Sequence, residues 1–356
     1  MSNDQELPVS LDEVKLPETL PPLMIVAFTR PDLLQEVVIA VRQQSLLPQQ
    51  IIAFVDGARK EEDKPLIKEC LELLEALSDI IPVKIISRPE NLGCDLNVIL
   101  GLDEVLANYD SLVYLEDDTV PNVYFYDRMC RLLEAYRDRQ EIFSISAYAS
   151  VPKECIHSEQ DFILSRRFFS WGWGIWSDRW QEIDLVNSAP PYNPFGSFAN
   201  IPLTTETKLT MNYQFWLEKD LKKDWVIAVT LSALYHNKIH LIPTTSLVKN
   251  IGFGHPESKN YNKSKNPTWV NVGYNASAYP NTFPSSLKLD SELSRLLKGK
   301  ELAQYLESRK NMWLNFADIK HFLANYSDFN DKILLIKFFI SRMPLLLKRW
   351  RSSLKI

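Results

Sequence analysis

LVYLEDDTVPN, from Leu112 to Asn122, sets an apolar, strand-like run directly against three consecutive carboxylates and follows them with a proline turn. Three like charges at the end of a buried strand are costly unless cations or hydrogen-bond donors compensate them. What surrounds that strand end therefore decides both the fold and the chemistry.

Outward from this stretch, residues 23 to 147 alternate short apolar runs with longer helical patterns, the signature of a mostly parallel α/β sheet. LMIVAF (Leu23–Phe28), IIAFVD (Ile51–Asp56), VKIIS (Val83–Ser87), SLVYL (Ser111–Leu115) and IFSISA (Ile142–Ala147) read as strands. Pro31 opens a helix whose Leu33, Leu34, Val37, Val38 and Val41 fall on one face. Further helices are expected over about Glu62 to Leu77 and Cys94 to Ala107, with a fourth containing Arg131 to Tyr136.

Ligands of such sheets sit beyond the carboxyl ends of the strands. The polar residues there are Thr29 and Arg30, Asp56 and Gly57, Arg88 and Asn91, then Glu116, Asp117 and Asp118. Cations, carboxylates and an amide on one edge suit a polyfunctional ligand. If the chain stays extended past Leu115, Glu116 and Asp118 share a face and Asp117 takes the other. A hard divalent cation, Mg²⁺ or Mn²⁺, would compensate them and keep positions open for substrate phosphates. The competing reading is a solvated acidic turn.

After Ala147 the pattern becomes irregular and aromatic-rich, with Trp171, Trp173, Trp176 and Trp180 around two glycines in SWGWGIWSDRW. These rings could stack on the apolar faces of a sugar or simply fill a core. YQFWLEKDL and DWVIAVTLSALYHN read as helical, and IHLIP as another strand.

The chain has 356 residues, 46% of them hydrophobic, and a formal net charge of -5, which gives no global signal for nucleic acid. Its first residues are polar and acidic, unlike a secretory signal, and Cys70, Cys94, Cys130 and Cys155 lack metal-type or disulfide spacing. A cytoplasmic protein is expected. Residues 332–356 interleave apolar side chains with Lys337, Arg342, Lys348, Arg349, Arg351 and Lys355, which suits either a membrane surface at the inner face of the cell membrane or a packing helix. The expected organisation is a polar segment over 1–20 and a catalytic domain over 21–260. That domain divides into a donor part, 21–147, and an acceptor part, 148–260, and a loop and helical extension follows over 261–356.

MIVAFTRPDLL, IIAFVDGAR, RPENLG and LVYLEDDTVPNVYFYDRM together resemble the nucleotide-binding half of GT-A fold glycosyltransferases, in particular N-acetylglucosaminyltransferase I and bacterial family 2 enzymes. The resemblance covers about residues 23 to 255. It implies that the acidic triplet is the metal and nucleotide-sugar motif, with Asp118 the direct ligand of Mn²⁺ or Mg²⁺. It places Arg30 and Asp56 near the uracil and diphosphate of a UDP-sugar, Glu116 and Asp117 at sugar and ribose, and Arg88 and Asn91 on the same donor edge. His255 takes the late position of a histidine on the metal or diphosphate, where Lys249 and Asn250 could also meet phosphate oxygens. Asp224, in an Asp-Trp pair opening a helix, matches the catalytic base of an inverting transfer, with Asp220 one turn earlier as competitor.

The function so implied is transfer of a sugar from a nucleotide-diphosphate donor to a hydroxyl of a glycan or lipid-linked glycan, in bacterial surface polysaccharide synthesis. An inert binding or scaffold protein on the same fold is the alternative. A sugar-nucleotide pyrophosphorylase fits less well, because VAFTRPDLL has no glycine to form a phosphate loop.

Overall fold

The computed structural model describes residues 10–148, 160–165, 168–183, 225–236, 238–258, 270–271, 273–284 and 340. The chain divides into two compact units, Met1–Ala189 with Lys222–Leu289, and Pro190–Leu221 with Asp290–Ile356. All described residues except Ile340 belong to the first unit. Asp220, Asp224, Cys155, YQFWLEKDL and nearly all of the basic 332–356 tail lie outside the described residues.

Strands β1 (Leu23–Ala27), β2 (Ile51–Val55), β3 (Val83–Ser87) and β4 (Ser111–Glu116) run parallel in the order β3-β2-β1-β4. Helices α1 (Pro31–Arg42), α2 (Asp63–Glu75) and α3 (Cys94–Leu106) make the crossovers. The interiors of β1, β2 and β4 are apolar throughout, as expected of strands covered on both faces, whereas β3 at the sheet edge carries the exposed Lys84. Alternate residues feed two cores. Ile25, Ala53, Val113 and Leu115 join one with Leu34, Val37 and Leu74, whereas Met24, Ile52, Phe54 and Tyr114 join the other with Val98, Leu102 and Val105.

Beyond β4 the sheet is mixed. A short β5 (Thr119–Pro121) leads to α4 (Phe125–Ala135), and then β6 (Ile142–Ser146), β7 (Phe162–Ser165), β8 (Trp173–Trp176) and β9 (Ile239–Pro243) complete the order β4-β8-β6-β9-β7. Strand β8 is antiparallel to both β4 and β6, pairing Tyr114 with Trp173 and Ser111 with Trp176. The aromatic segment read as irregular is therefore, in part, a central strand. It continues into the short α5 (Ser177–Trp180).

Trp173, Trp176 and Trp180 are buried, so of the two readings these three rings take the core-filling one. Trp173 stacks on Trp225 of α6 (Trp225–Tyr235), with ring centroids 5.9 Å apart, and meets Tyr114 at the same distance. The indole N–H groups of Trp176 and Trp180 donate to Leu133 O at 3.0 Å and Asp103 Oδ1 at 2.7 Å, respectively. Trp171 differs, being half-buried against Tyr148 and Phe253.

Leu11, Val14 and Leu20 enter the first core, as do Ala278 and Phe283, so segments flanking the expected catalytic boundaries pack on the sheet unit. Arg128, buried in α4, secures both flanks, pairing with Asp12 at 2.9 Å while its guanidinium lies 4.1 Å from the Tyr279 ring centre. Among the described residues no helix is long and apolar enough to cross a membrane.

Candidate functional site

The order β3-β2-β1-β4 reverses between β1 and β4, since the chain steps outward from β1 to β3 and then returns to its other side. A crevice opens at such a reversal, at the carboxyl ends of the two strands. Arg30 leaves the end of β1 as the residue before α1, and Glu116, Asp117 and Asp118 leave the end of β4.

β4 ends at Glu116, and the chain turns there, so the expected alternation does not continue through the triplet. Asp117 N still donates to Val26 O at 3.1 Å, which ties the turn to β1. The turn brings Asp117 and Asp118 together on one guanidinium. Arg30 Nε donates to Asp117 Oδ2 at 3.2 Å, Nη2 donates to Asp117 Oδ1, and Nη1 donates to Asp118 Oδ2 at 2.7 Å. This is a bidentate fork with a third arm.

The electrostatics follow from burial. Desolvation alone would lower the pKa of the Arg30 guanidinium, but the charges of Asp117 and Asp118 raise it above the ordinary value. Burial raises Asp117, with Arg30 opposing. Glu116 is pushed up to about 8 by burial and then by the Asp118 charge, again against Arg30, and it accepts a 3.2 Å hydrogen bond from Tyr114 Oη.

Asp118 is fixed from three further sides. Its Oδ1 accepts from Asn250 Nδ2 at 3.0 Å and from Thr119 Oγ1 at 3.3 Å. Asn250 belongs to β10 (Val248–Asn250), which pairs antiparallel with β5, and Ile251 N donates to Asp118 O at 2.9 Å. Gly252 follows so closely that a Cβ there would meet Asp118 Oδ2 at 2.1 Å. Sequence reasoning did not single out Gly252 and gave Asn250 to phosphate. The glycine in NIGFGH was the available signal.

The remaining expected site residues sit as follows. Asp56 Oδ1 accepts from the N–H groups of Gly57 (2.9 Å) and Leu92 (2.8 Å), and Oδ2 accepts from Gly93 N (2.9 Å) and Asn91 Nδ2 (3.0 Å). Four donors on one carboxylate lock residues 91–93, the approach to α3, against the end of β2. Gly57 allows this, because a Cβ there would lie 2.3 Å from Glu90 C. Arg88 turns away toward α3, donating to Asn97 Oδ1 at 3.1 Å and lying 5.0 Å from the Phe54 ring centre. His255 Nε2 is 3.3 Å from Asp32 Oδ2 at the start of α1, while its Nδ1 accepts from Glu257 N at 3.2 Å. Lys249 lies 5.9 Å from the Tyr274 ring centre. Asp224 is outside the described residues, but its neighbour Trp225 packs edge-on to Tyr114, with centroids 5.6 Å apart. That sets the first residue of α6 beside Tyr114 in β4.

A divalent cation fits this donor set in one way. Among the described residues no three histidine, cysteine or acidic side chains form a ready-made cage. The triplet nevertheless supplies hard oxygens, and Asp118 Oδ2 already faces a cationic group. Mg²⁺ in particular is commonly held by one or two carboxylates, with substrate phosphates completing its shell. Asp118 is the residue that would hold it, with Glu116 adjacent.

No curated protein matches the chain. Among solved structures, Staphylococcus aureus TarS 1-349 in complex with UDP aligns at 13% identity and a TM-score of 0.27, over 36% of this chain and 35% of that one. The chain thus spans about a third of that relative. The mannosyltransferase PcManGT from Pyrobaculum calidifontis, in complex with GDP-Man and Mn²⁺, aligns at 10% identity and a TM-score of 0.34, over 63% and 72%. S. aureus TarS itself aligns at 11% identity and 0.35, over 61% and 43%. A family model described as glycosyl transferase family 2 matches residues 23–187, the stretch that carries the sheet edge, the Arg30 fork and the acidic triplet. Residues 23–187 thus match glycosyl transferase family 2, the family type that the acidic strand end resembles.

Proposed function

We propose that the protein transfers a sugar from a nucleoside-diphosphate sugar, UDP-linked by the sequence resemblance, to a hydroxyl of a glycan or lipid-linked glycan, with inversion. The observation that carries this reading is the convergence of Asp117 and Asp118 on Arg30 at the strand-order reversal, inside the family 2 segment. Bacterial surface polysaccharide synthesis at the inner face of the membrane is the setting that the sequence resemblance and the basic tail suggest.

In this reading Asp118 binds a divalent cation jointly with the donor diphosphate. Mn²⁺ or Mg²⁺ bound there supplies charge stabilisation for the departing diphosphate. The protein's own part is positional. Asn250, Thr119 and Gly252 fix the Asp118 carboxylate, and Asp56 holds the 91–93 loop beside the crevice. Asp224, or Asp220 one turn earlier, takes the proton from the acceptor hydroxyl. Asp56 and Arg30, the residues from which uridine was inferred, are engaged within the protein, so selection among bases falls to the measured panel.

The test is calorimetry of nucleoside diphosphates and nucleotide sugars on the purified protein, with Mn²⁺ and with chelator, beside Asp118→Ala. Metal-dependent binding of one nucleotide, lost in the variant while the fold is kept, is the expected result. No binding of any nucleotide under either condition would remove the transferase reading and leave the scaffold alternative.

A further inference from the structure

We infer that Arg30 is a resident counter-ion competing with the divalent cation for Asp118 Oδ2, so that the cation binds with the nucleoside diphosphate and not ahead of it. This inference rests on the donor reading above. Its basis is the number of approaches left open around one oxygen atom.

Asp118 Oδ1 is committed to Asn250 and Thr119. The Gly252 backbone lies so close to Oδ2 that an added Cβ would come within 2.1 Å, and Arg30 Nη1 stands 2.7 Å away. A Mg²⁺ ion would need an Oδ2 distance of about 2.0–2.1 Å. Arg30 is also the cation that the described residues bring to this triplet, since Arg88, Arg59 and Lys249 are turned to Asn97, Asp63 and Tyr274. A metal at Oδ2 and a guanidinium arm on the same atom would repel each other in a site shielded from water.

The fork to Asp117 gives the guanidinium somewhere to stay when that arm lets go. Nε and Nη2 remain on Asp117, and the released Nη1 presents N–H groups in the planar geometry that suits a phosphate oxygen. A cation arriving alone must break the Nη1 bond with nothing in exchange. Arriving with a diphosphate, it takes Oδ2 while the diphosphate accepts the freed arm. The consequence is positive coupling between cation and nucleotide, which by linkage has the same factor in either order of addition.

The experiment measures Mn²⁺ binding to the full-length chain by electron paramagnetic resonance of the free ion, alone and with saturating UDP or GDP. For the wild type, Mn²⁺ alone should bind weakly, and the responsive nucleotide should tighten it at least tenfold. In Arg30→Met the Mn²⁺ affinity without nucleotide should rise at least tenfold, and the coupling should fall below threefold. Arg30→Lys, which keeps a charge without the fork, should lie between them and carries the comparison if the Met variant does not fold. Absence of coupling in the wild type, or unchanged or weaker Mn²⁺ binding in the folded variants, would overturn the inference. If neither variant folds, Arg30→Gln, which keeps a hydrogen-bonding end without the charge, carries the same comparison. Nucleotide binding with unaltered Mn²⁺ behaviour removes this inference only, whereas failure of every nucleotide to bind removes the donor reading as well.

Discussion

Gly252→Ala tests whether the Asp118 carboxylate is held as rigidly as its contacts indicate. The backbone of Gly252 is not in the left-handed region, so alanine brings no conformational penalty of that kind. Its Cβ would instead lie 2.1 Å from Asp118 Oδ2 and 2.8 Å from Cγ, and reaching ordinary contact at 3.4 Å requires a shift of roughly 1 Å. Moved that far, the 2.7 Å Arg30 Nη1 bond passes out of hydrogen-bonding range. A hydrogen bond to a charged group contributes about 1.5–3 kcal/mol. Arg30 keeps Asp117, so the larger cost of a fully broken buried pair, about 3–5 kcal/mol, is not incurred. Urea unfolding should therefore show Gly252→Ala destabilised by about 2–3 kcal/mol. In an Asp118→Ala background the clashing oxygen is absent and only a 3.0 Å contact with Asp118 Cβ remains, so the cost should fall by more than half. A stability within about 0.5 kcal/mol of wild type, or full additivity with Asp118→Ala, would refute the packing argument.

Other positions give independent checks. Asp56→Ala removes the acceptor of four hydrogen bonds and should destabilise by about 2–4 kcal/mol, with the Leu92 and Gly93 amides losing hydrogen-exchange protection first. Trp173→Ala should cost about 3–5 kcal/mol, as a fully buried core ring, whereas Trp171→Ala should cost far less and report on acceptor kinetics if that ring meets substrate. Asp63 is held below its ordinary pKa, chiefly by hydrogen bonds from Arg59, with burial opposing. Its folded value is lower than its unfolded value, so its stabilisation is complete above about pH 4 and is lost as pH falls through the folded value. Asp63→Asn should flatten the acid limb of a stability profile below pH 4, and an unchanged limb would show that the Arg59 pairing contributes nothing.

The first four strands were legible because each is a short, largely apolar run with polar residues at or soon after its end and a helix pattern behind it. Strand β8 was not. Trp173–Trp176 is apolar on both faces and interrupted by Gly174, which in isolation reads as a loop. In the fold that glycine passes Leu112 O, where a Cβ would come to 3.1 Å, so its lack of a side chain serves close passage against β4. Tertiary context supplied what local pattern could not. The same holds for β5 and β10, whose pairing links Asp118 to Asn250 across 132 residues of sequence.

The crowding of carboxylates at this strand end was legible, and the contacts each of them makes were not. Extended-strand geometry assigned Glu116 and Asp118 to one face, but the turn after Glu116 places Asp117 and Asp118 on the same guanidinium. That difference bears on which carboxylate can serve a metal. Both oxygens of Asp117 are occupied by the Arg30 fork, the arrangement hardest to open because two bonds must break together. Asp118 meets the same cation through one arm only, and its other oxygen is steadied by uncharged donors from Asn250 and Thr119. The carboxylate that is rigid in place yet bound to a single displaceable cation is the one suited to exchange that cation for another.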